Sequence, residues 1–177
     1  SNEALVTVTS QEFKEKPAPR VIIAPSLLKQ RPMNILVEKL AEIGVDEIRP
    51  VMFDRTDDKY GPGRLKKWQK ITVQALKVNR RLWETEIFPP VSVDEIIRHA
   101  EHIGTRILLD ISGDNPGVTG WTHPAIAVIG PPGDMTGDER DKLTAGGFAP
   151  YSINDCVMKS ETAAISIAAI LKLNCNV

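Results

Sequence analysis

The chain has 177 residues, 42% of them hydrophobic, which suits one globular domain with a substantial core and does not require a second. No apolar stretch approaches the roughly 18 residues that cross a bilayer, and the polar amino terminus lacks a secretory core, so the expectation is a soluble protein, cytoplasmic or organellar. The 22 basic residues nearly balance 23 acidic ones. The two cysteines, Cys156 and Cys175, are far apart with no Cys-x-x-Cys pair, which argues against a disulfide framework or zinc site and for a reducing compartment.

Residues 1–19 read as an amino-terminal extension or linker remnant ahead of a single domain over 20–177. Ser1-Asn2 has the form of a cleaved-tag scar, so a natural segment is expected to precede it. Val21 to Ala24 is predicted as a short buried strand. A helix from about Pro32 follows, with Met33, Leu36, Val37 and Leu40 on one face and Gly44 as its stop. Val45 to Phe53 returns as a strand. The Tyr60-Gly-Pro-Gly63 turn opens a basic helix whose apolar positions are Leu65, Trp68, Ile71, Val73, Ala75 and Leu76. Ser92-Val-Asp-Glu95 is a capping box opening a helix that stops at Gly104. Thr105 to Asp110 is the next strand, and residues 111–123 form a Gly-rich connection long enough to suggest a functional loop. After a strand over 126–130 come a second capping box at Thr136-Gly-Asp-Glu139, a short helix and Gly146-Gly147. Phe148 to Ser152 is the last strand, and a final helix runs from about Glu161 to Leu173 with Ser160 as N-cap.

Strands alternating with helices give an α/β class, a mostly parallel sheet covered on both faces. The final helix is apolar nearly all round, so it must be buried, against the sheet and against a partner subunit. Between Arg55 and Arg81 stand nine basic residues (Arg55, Lys59, Arg64, Lys66, Lys67, Lys70, Lys77, Arg80, Arg81) against only Asp57 and Asp58. That concentration is either a phosphate footprint or a solvated helix face.

Several chemistries lack local support. No GxGxxG or GxxxxGK[ST] occurs, which leaves dinucleotide and P-loop folds without a signature. His99 and His102 sit three apart near Glu95 without a convincing further ligand, so no metal site is assigned. Ser112, Ser152 and Ser166 lie in no nucleophile elbow. Cys156 reads as a packed thiol.

The segment Ile126-Ala-Val-Ile-Gly-Pro-Pro-Gly-Asp134 carries more. Gly130 and Gly133 are expected to give the turn unusual dihedrals, and Pro131 and Pro132 stiffen it. Such a side-chain-poor loop at the carboxyl end of a strand suits a flat ligand. Ile153-Asn-Asp-Cys-Val-Met-Lys-Ser-Glu-Thr-Ala163 then runs through a loop into the final helix. Together the two segments resemble the carboxyl-terminal motifs of SPOUT-class RNA methyltransferases. The resemblance is to the family that methylates N3 of a uridine in small-subunit (16S) ribosomal RNA. That family's order of motifs appears here as Ile129 to Asp134, Glu139, Gly146-Gly147-Phe148 and Ile153 to Ala163. It extends upstream through Val37 to Val45, Ile48-Arg-Pro50 and Trp68 to Arg81. Pro132 and Asp134 stand where the family has an acidic residue and a second glycine, and Met158-Lys159 where it has Leu-Arg.

The resemblance implies S-adenosylmethionine as cofactor, held by Leu109, Asp110, Ile129, Gly130, Pro131, Gly133, Ile153, Val157 and Met158. It implies a homodimer and a carboxyl-terminal trefoil knot. Ribosomal RNA or the small ribosomal subunit is the implied partner, and no membrane. The family usually carries a small β-rich RNA-binding domain ahead of this one, for which 177 residues leave no room. Lys159 and Arg81 match family arginines. A cation beside uracil N3 stabilises the anion left when its proton departs, and Glu161 is the nearest candidate acceptor. Two alternatives stay open on the departures: a degenerate knotted RNA-binding module, and an enzyme of this class acting on another RNA or base.

Overall fold

The computed structural model describes residues 4, 6–18, 20–56, 58–115, 117 and 121–174. Ser1, Asn2, Asp57, Cys175 and part of the 111–123 connection lie outside the described residues. In chain order the elements are β1 (Val21–Pro25), α1 (Gln30–Ile43), β2 (Glu47–Ile48), β3 (Val51–Met52), α2 (Arg64–Asn79), β4 (Glu86–Ile87) and β5 (Val91–Ser92). Then follow α3 (Val93–Ala100), β6 (Thr105–Asp114), β7 (Ala125–Ile129), α4 (Gly137–Ala145), β8 (Ala149–Tyr151) and α5 (Ser160–Asn174).

Six strands form one sheet in the order β4-β2-β1-β7-β6-β8, and β3 pairs with β5 in a second. Every pairing is parallel. β1 and β7 are buried at every residue, as central parallel strands covered on both faces must be. Their side chains alternate between two cores. Val21, Ile23, Ala125 and Ala127 join α1, α2 and α5 on one face. Ile22, Ala24, Ile126 and Val128 meet Val93, Ile96 and Ala100 of α3 and Leu143 of α4 on the other. Each fully buried Val, Ile or Leu among them contributes about 1.5–3 kcal/mol of apolar burial.

Both predicted capping boxes form. The Ser92 hydroxyl accepts from Glu95 N and the Thr136 hydroxyl from Glu139 N, with each glutamate reaching back to its cap. Gly44 closes α1 at φ 87°, where its N–H reaches the carbonyls of Leu40 and Ala41. Four expectations are corrected. The single strand over 45–53 is two, because Arg49-Pro50 carries the chain from the large sheet to the small one, where Pro50 offers its carbonyl to Val91 N at 2.9 Å. α3 stops at Ala100, four residues short of Gly104. β6 continues past Asp110 to Asp114 through an irregularity in its pairing with β8. On α2, Val73 faces solvent and Thr72 is buried instead, its hydroxyl donating to Gln69 O at 2.9 Å.

α5 lays Ala163, Ala164, Ile167, Ala168 and Leu171 into the core. The small alanines let the helix lie close to the sheet. Thr162, Ala169 and Leu173 stay exposed and Ile165, Ser166 and Ile170 half-buried, so an apolar stripe remains along its outer side.

Candidate functional site

The parallel strands all end on one side of the sheet, and there the loops leaving β1, β6, β7 and β8 enclose a cavity of about 870 Å³, within the range of small-molecule sites. All nine residues expected at the cofactor, Leu109, Asp110, Ile129, Gly130, Pro131, Gly133, Ile153, Val157 and Met158, line it, as do Lys159 and Glu161. Leu27, Leu28, Lys29 and Pro32 after β1, together with Arg55, Tyr151 and Ser152, complete the wall. The sequence assigned none of these to the cofactor. The one signal was position, since Leu27 to Lys29 directly follow a buried strand.

The loop after β7 is held from three sides. Ser160 is the first residue of α5 and not its N-cap: its hydroxyl donates to the Gly130 carbonyl at 2.9 Å. Arg55 Nη1 donates to the Gly133 carbonyl at 3.1 Å. Arg140 of α4 pairs with Asp134 at 3.2 Å and also with Asp110 on the neighbouring strand β6. Asp110 Oδ1 in turn accepts from Ser112 N at 2.9 Å and Ser112 Oγ at 2.8 Å.

The unusual dihedral of this loop falls elsewhere than expected. Neither Gly130 nor Gly133 has positive φ; Asp134 does, at 63°. Aspartate tolerates this region better than most residues because its short carboxylate bonds locally, and here Oδ1 accepts from Met135 N at 2.8 Å. The aspartate that departs from the resembled motif therefore sits at the one strained position of the turn and supplies its own support. A Cβ built at Gly133 meets no protein atom within 4 Å and points into open volume.

Behind the loop, buried Glu139 joins α4 to the 53–58 segment, Oε1 accepting from Asp54 N at 2.7 Å and Oε2 from Thr136 N at 2.8 Å. Burial pushes its carboxyl up, but the backbone N–H groups of Thr136 and Asp54, the Thr136 hydroxyl and the Arg55 charge outweigh it and hold the group below its ordinary value. Across the cavity, burial raises the Tyr151 phenol.

Lys159 is exposed at the lip, and its ammonium makes no ion pair or hydrogen bond among the described residues. Glu161 is half-buried on the first turn of α5. Arg81 is a correction. Its Nη2 pairs with Asp46 at 3.1 Å and its Nη1 donates to Val45 O, while Asp46 Oδ2 accepts from Val21 N at 3.0 Å. Those groups mark the amino-terminal ends of β1 and β2, the sheet edge opposite the cavity, so the chain does not bring Arg81 to Lys159. Cys156 is also corrected: it is exposed at the cavity wall, not packed.

The basic stretch divides. Arg64 is withdrawn into a pair with Asp58 at 2.6 Å and lies over the Trp68 ring, and Arg55 and Arg81 are engaged as above. Lys59, Lys66, Lys67, Lys70, Lys77 and Arg80 remain exposed without an ion pair among the described residues. His99 faces Glu47 at 3.8 Å, burial and then Arg49 lowering its pKa. No cluster of three metal-ligating side chains occurs among the described residues, nor any helix long and apolar enough to cross a membrane.

Residues 14–172 match the family model of the RNA methyltransferase domain. Ribosomal RNA small subunit methyltransferase E of Mesomycoplasma hyopneumoniae is 24% identical over 169 residues, covering 93% of this chain and 74% of that protein. The Synechocystis protein of the same name is 27% identical over 162 residues, 88% of this chain and 53% of its own. The chain thus spans between 53% and 74% of these curated relatives. Among solved structures, a putative methyltransferase from Legionella pneumophila with bound SAM superposes with a TM-score of 0.78 at 25% identity, over 88% of this chain and 66% of that one. Small subunit methyltransferase E of Neisseria gonorrhoeae, bound to S-adenosyl methionine, gives 0.76 at 21% identity, over 88% of this chain and 66% of its own. The chain belongs to the RNA methyltransferase domain family, of the SPOUT class.

Proposed function

We propose that this chain transfers a methyl group from S-adenosylmethionine to N3 of a uridine in small-subunit ribosomal RNA, in the cytoplasm. The observation that carries the reading is the convergence of the 109–111, 129–134 and 153–159 loops on one cavity beside an unpaired lysine. The cavity suits the cofactor: it is large enough, no side chain stands at Gly133, and its lining combines apolar residues such as Leu27, Leu109 and Ile129 with the polar Asp110 and Ser152. Bound adenosylmethionine supplies an electrophilic methyl on a sulfonium, so the residues of the chain have to position the base and manage its charge. Lys159 holds a positive charge where the uracil anion develops. Glu161, in the first turn of α5, accepts the N3 proton directly or through water in this reading. The six exposed cations of Lys59 to Arg80 contact RNA phosphates away from the reacting base.

Two further features belong to this reading. The outer stripe of α5, with Leu173 71% exposed, supports a homodimer. The 153–160 segment supports a threaded knot, because Asn115 Nδ2 donates to Ile153 O at 3.2 Å and Ser152 N to Asp114 O at 3.0 Å, while Ser160 reaches Gly130. It thereby touches the β6 and β7 loops together.

The test is calorimetry with adenosylmethionine, followed by incubation with ribosomal RNA or a subunit precursor and mass spectrometry of the digest. Saturable binding and a methyl on uridine N3 are expected. Cofactor binding with no methylated uridine on either substrate would favour the non-catalytic RNA-binding module.

A further inference from the structure

We infer that Arg140 is a positioning residue that fixes the β7 loop against the end of β6 at the cavity by holding Asp110 and Asp134 with one guanidinium. This rests on the cavity being the adenosylmethionine site. Asp110 belongs to β6 and its side chain is 5% exposed; Asp134 ends the loop after β7; Arg140 rises from the first turns of α4 between them. Among the described residues it is the one side chain that forms ion pairs with both carboxylates. The other two fastenings of the β7 loop, Ser160 to Gly130 and Arg55 to Gly133, tie it to α5 and to the 53–58 segment and not to β6.

A planar guanidinium suits this task because its fork spans two carboxylates at once, whereas an ammonium is a point charge that satisfies one geometry. The α4 capping box fixes where the helix begins, and so fixes Arg140 against both loops. Asp134 adds to the coupling. Its left-handed backbone is stable only while local bonds support it, and Arg140 is one of two groups that bond its carboxylate. A side chain outside the ligand's own contacts thereby determines whether the slot is pre-formed, and pre-formed sites bind more tightly than sites that must be ordered.

The experiment compares wild type with Arg140→Ala and Arg140→Lys, by calorimetry with adenosylmethionine and by amide hydrogen exchange of the ligand-free proteins. Arg140→Ala should weaken the cofactor about tenfold or more and speed exchange at both Ile111–Ser112 and Gly133–Met135. Arg140→Lys should fall between. Thermal melts identify any variant that fails to fold, in which case Arg140→Lys carries the comparison. Affinity within twofold of wild type, or exchange altered in one loop alone, overturns the inference while leaving the cofactor reading intact. If wild type itself binds no adenosylmethionine, the proposed function and the positioning role fall together.

Discussion

The Ser160 hydroxyl donates to the Gly130 carbonyl across 2.9 Å, joining the first residue of the last helix to the first loop residue after β7. Thirty residues of chain separate the two, and this bond makes them one wall. Ser160→Ala leaves that carbonyl without its partner inside the protein, at a cost of about 1–2 kcal/mol. Thermal unfolding should record that loss, and cofactor affinity should drop with it. Wild-type affinity in a destabilised Ser160→Ala protein would show that the bond serves the fold and not the site.

Gly133 separates fold from ligand more sharply. Its Cβ position is empty of protein and its backbone is not in the left-handed region, so Gly133→Val should fold with a melting temperature near wild type. The two added methyls occupy cavity volume, and adenosylmethionine binding should disappear in calorimetry. Unchanged affinity would remove this loop from the site.

Glu139 makes stability depend on pH with a defined sign. Its pKa is lowered in the folded protein, so its contribution is present above the unfolded value and is lost as pH falls through the folded value. Glu139→Gln keeps the shape and removes the charge. It should cost about 1–2 kcal/mol near neutrality, with the gap to wild type closing as the medium is acidified. Denaturant midpoints measured from neutral pH to strongly acidic pH test this; a gap that stays constant would mean that Glu139 acts only as a neutral acceptor.

The exposed lysines of α2 are tested by salt. If they meet phosphates, the logarithm of RNA affinity falls with that of salt concentration by about 0.7–0.9 per contact. Neutralising Lys66, Lys67 and Lys70 should flatten the slope by about two to three units. A slope equal to wild type would mark them as ordinary solvated surface.

What could be read from the chain follows the range of the forces involved. Capping boxes, the Gly44 stop and the 3.6-residue pattern of α1 are local, and the structure contains them as expected. The convergence of the 109–111, 129–134 and 153–159 loops on one cavity was legible because a motif names contiguous residues and a parallel sheet sends all its strand ends to one side. Misread features depended on partners distant in sequence. Ser160 looked like an N-cap because a serine precedes a helical pattern; the competing acceptor, Gly130 O, is thirty residues away. Arg81 looked catalytic by resemblance to the family, and Asp46, which pairs with it, lies 35 residues away. Gly133 and Asp134 exchanged roles because dihedral strain depends on how the whole turn is held, including by Arg140.

The placement of Arg81 and Lys159 at opposite edges of the sheet leads to a test that separates charge chemistry from scaffolding. Lys159 is exposed at the cavity without a partner, so Lys159→Ala should leave stability and adenosylmethionine affinity nearly as in wild type. Methyl transfer to ribosomal RNA should fall about a hundredfold or more, as when a preorganised charge partner is removed. Arg81 is half-buried against Asp46, which also accepts from the backbone of Val21 and faces Lys172 at 3.8 Å. Arg81→Ala should therefore cost about 1 kcal/mol and lower the melting temperature by about 2–4 °C, with turnover per folded molecule close to wild type. Single-turnover rates at saturating cofactor, set beside thermal melts, distinguish the two variants. Should Arg81→Ala lose turnover as Lys159→Ala does while its melting temperature holds, Arg81 would have to act outside its own chain's cavity, at the site of a partner subunit.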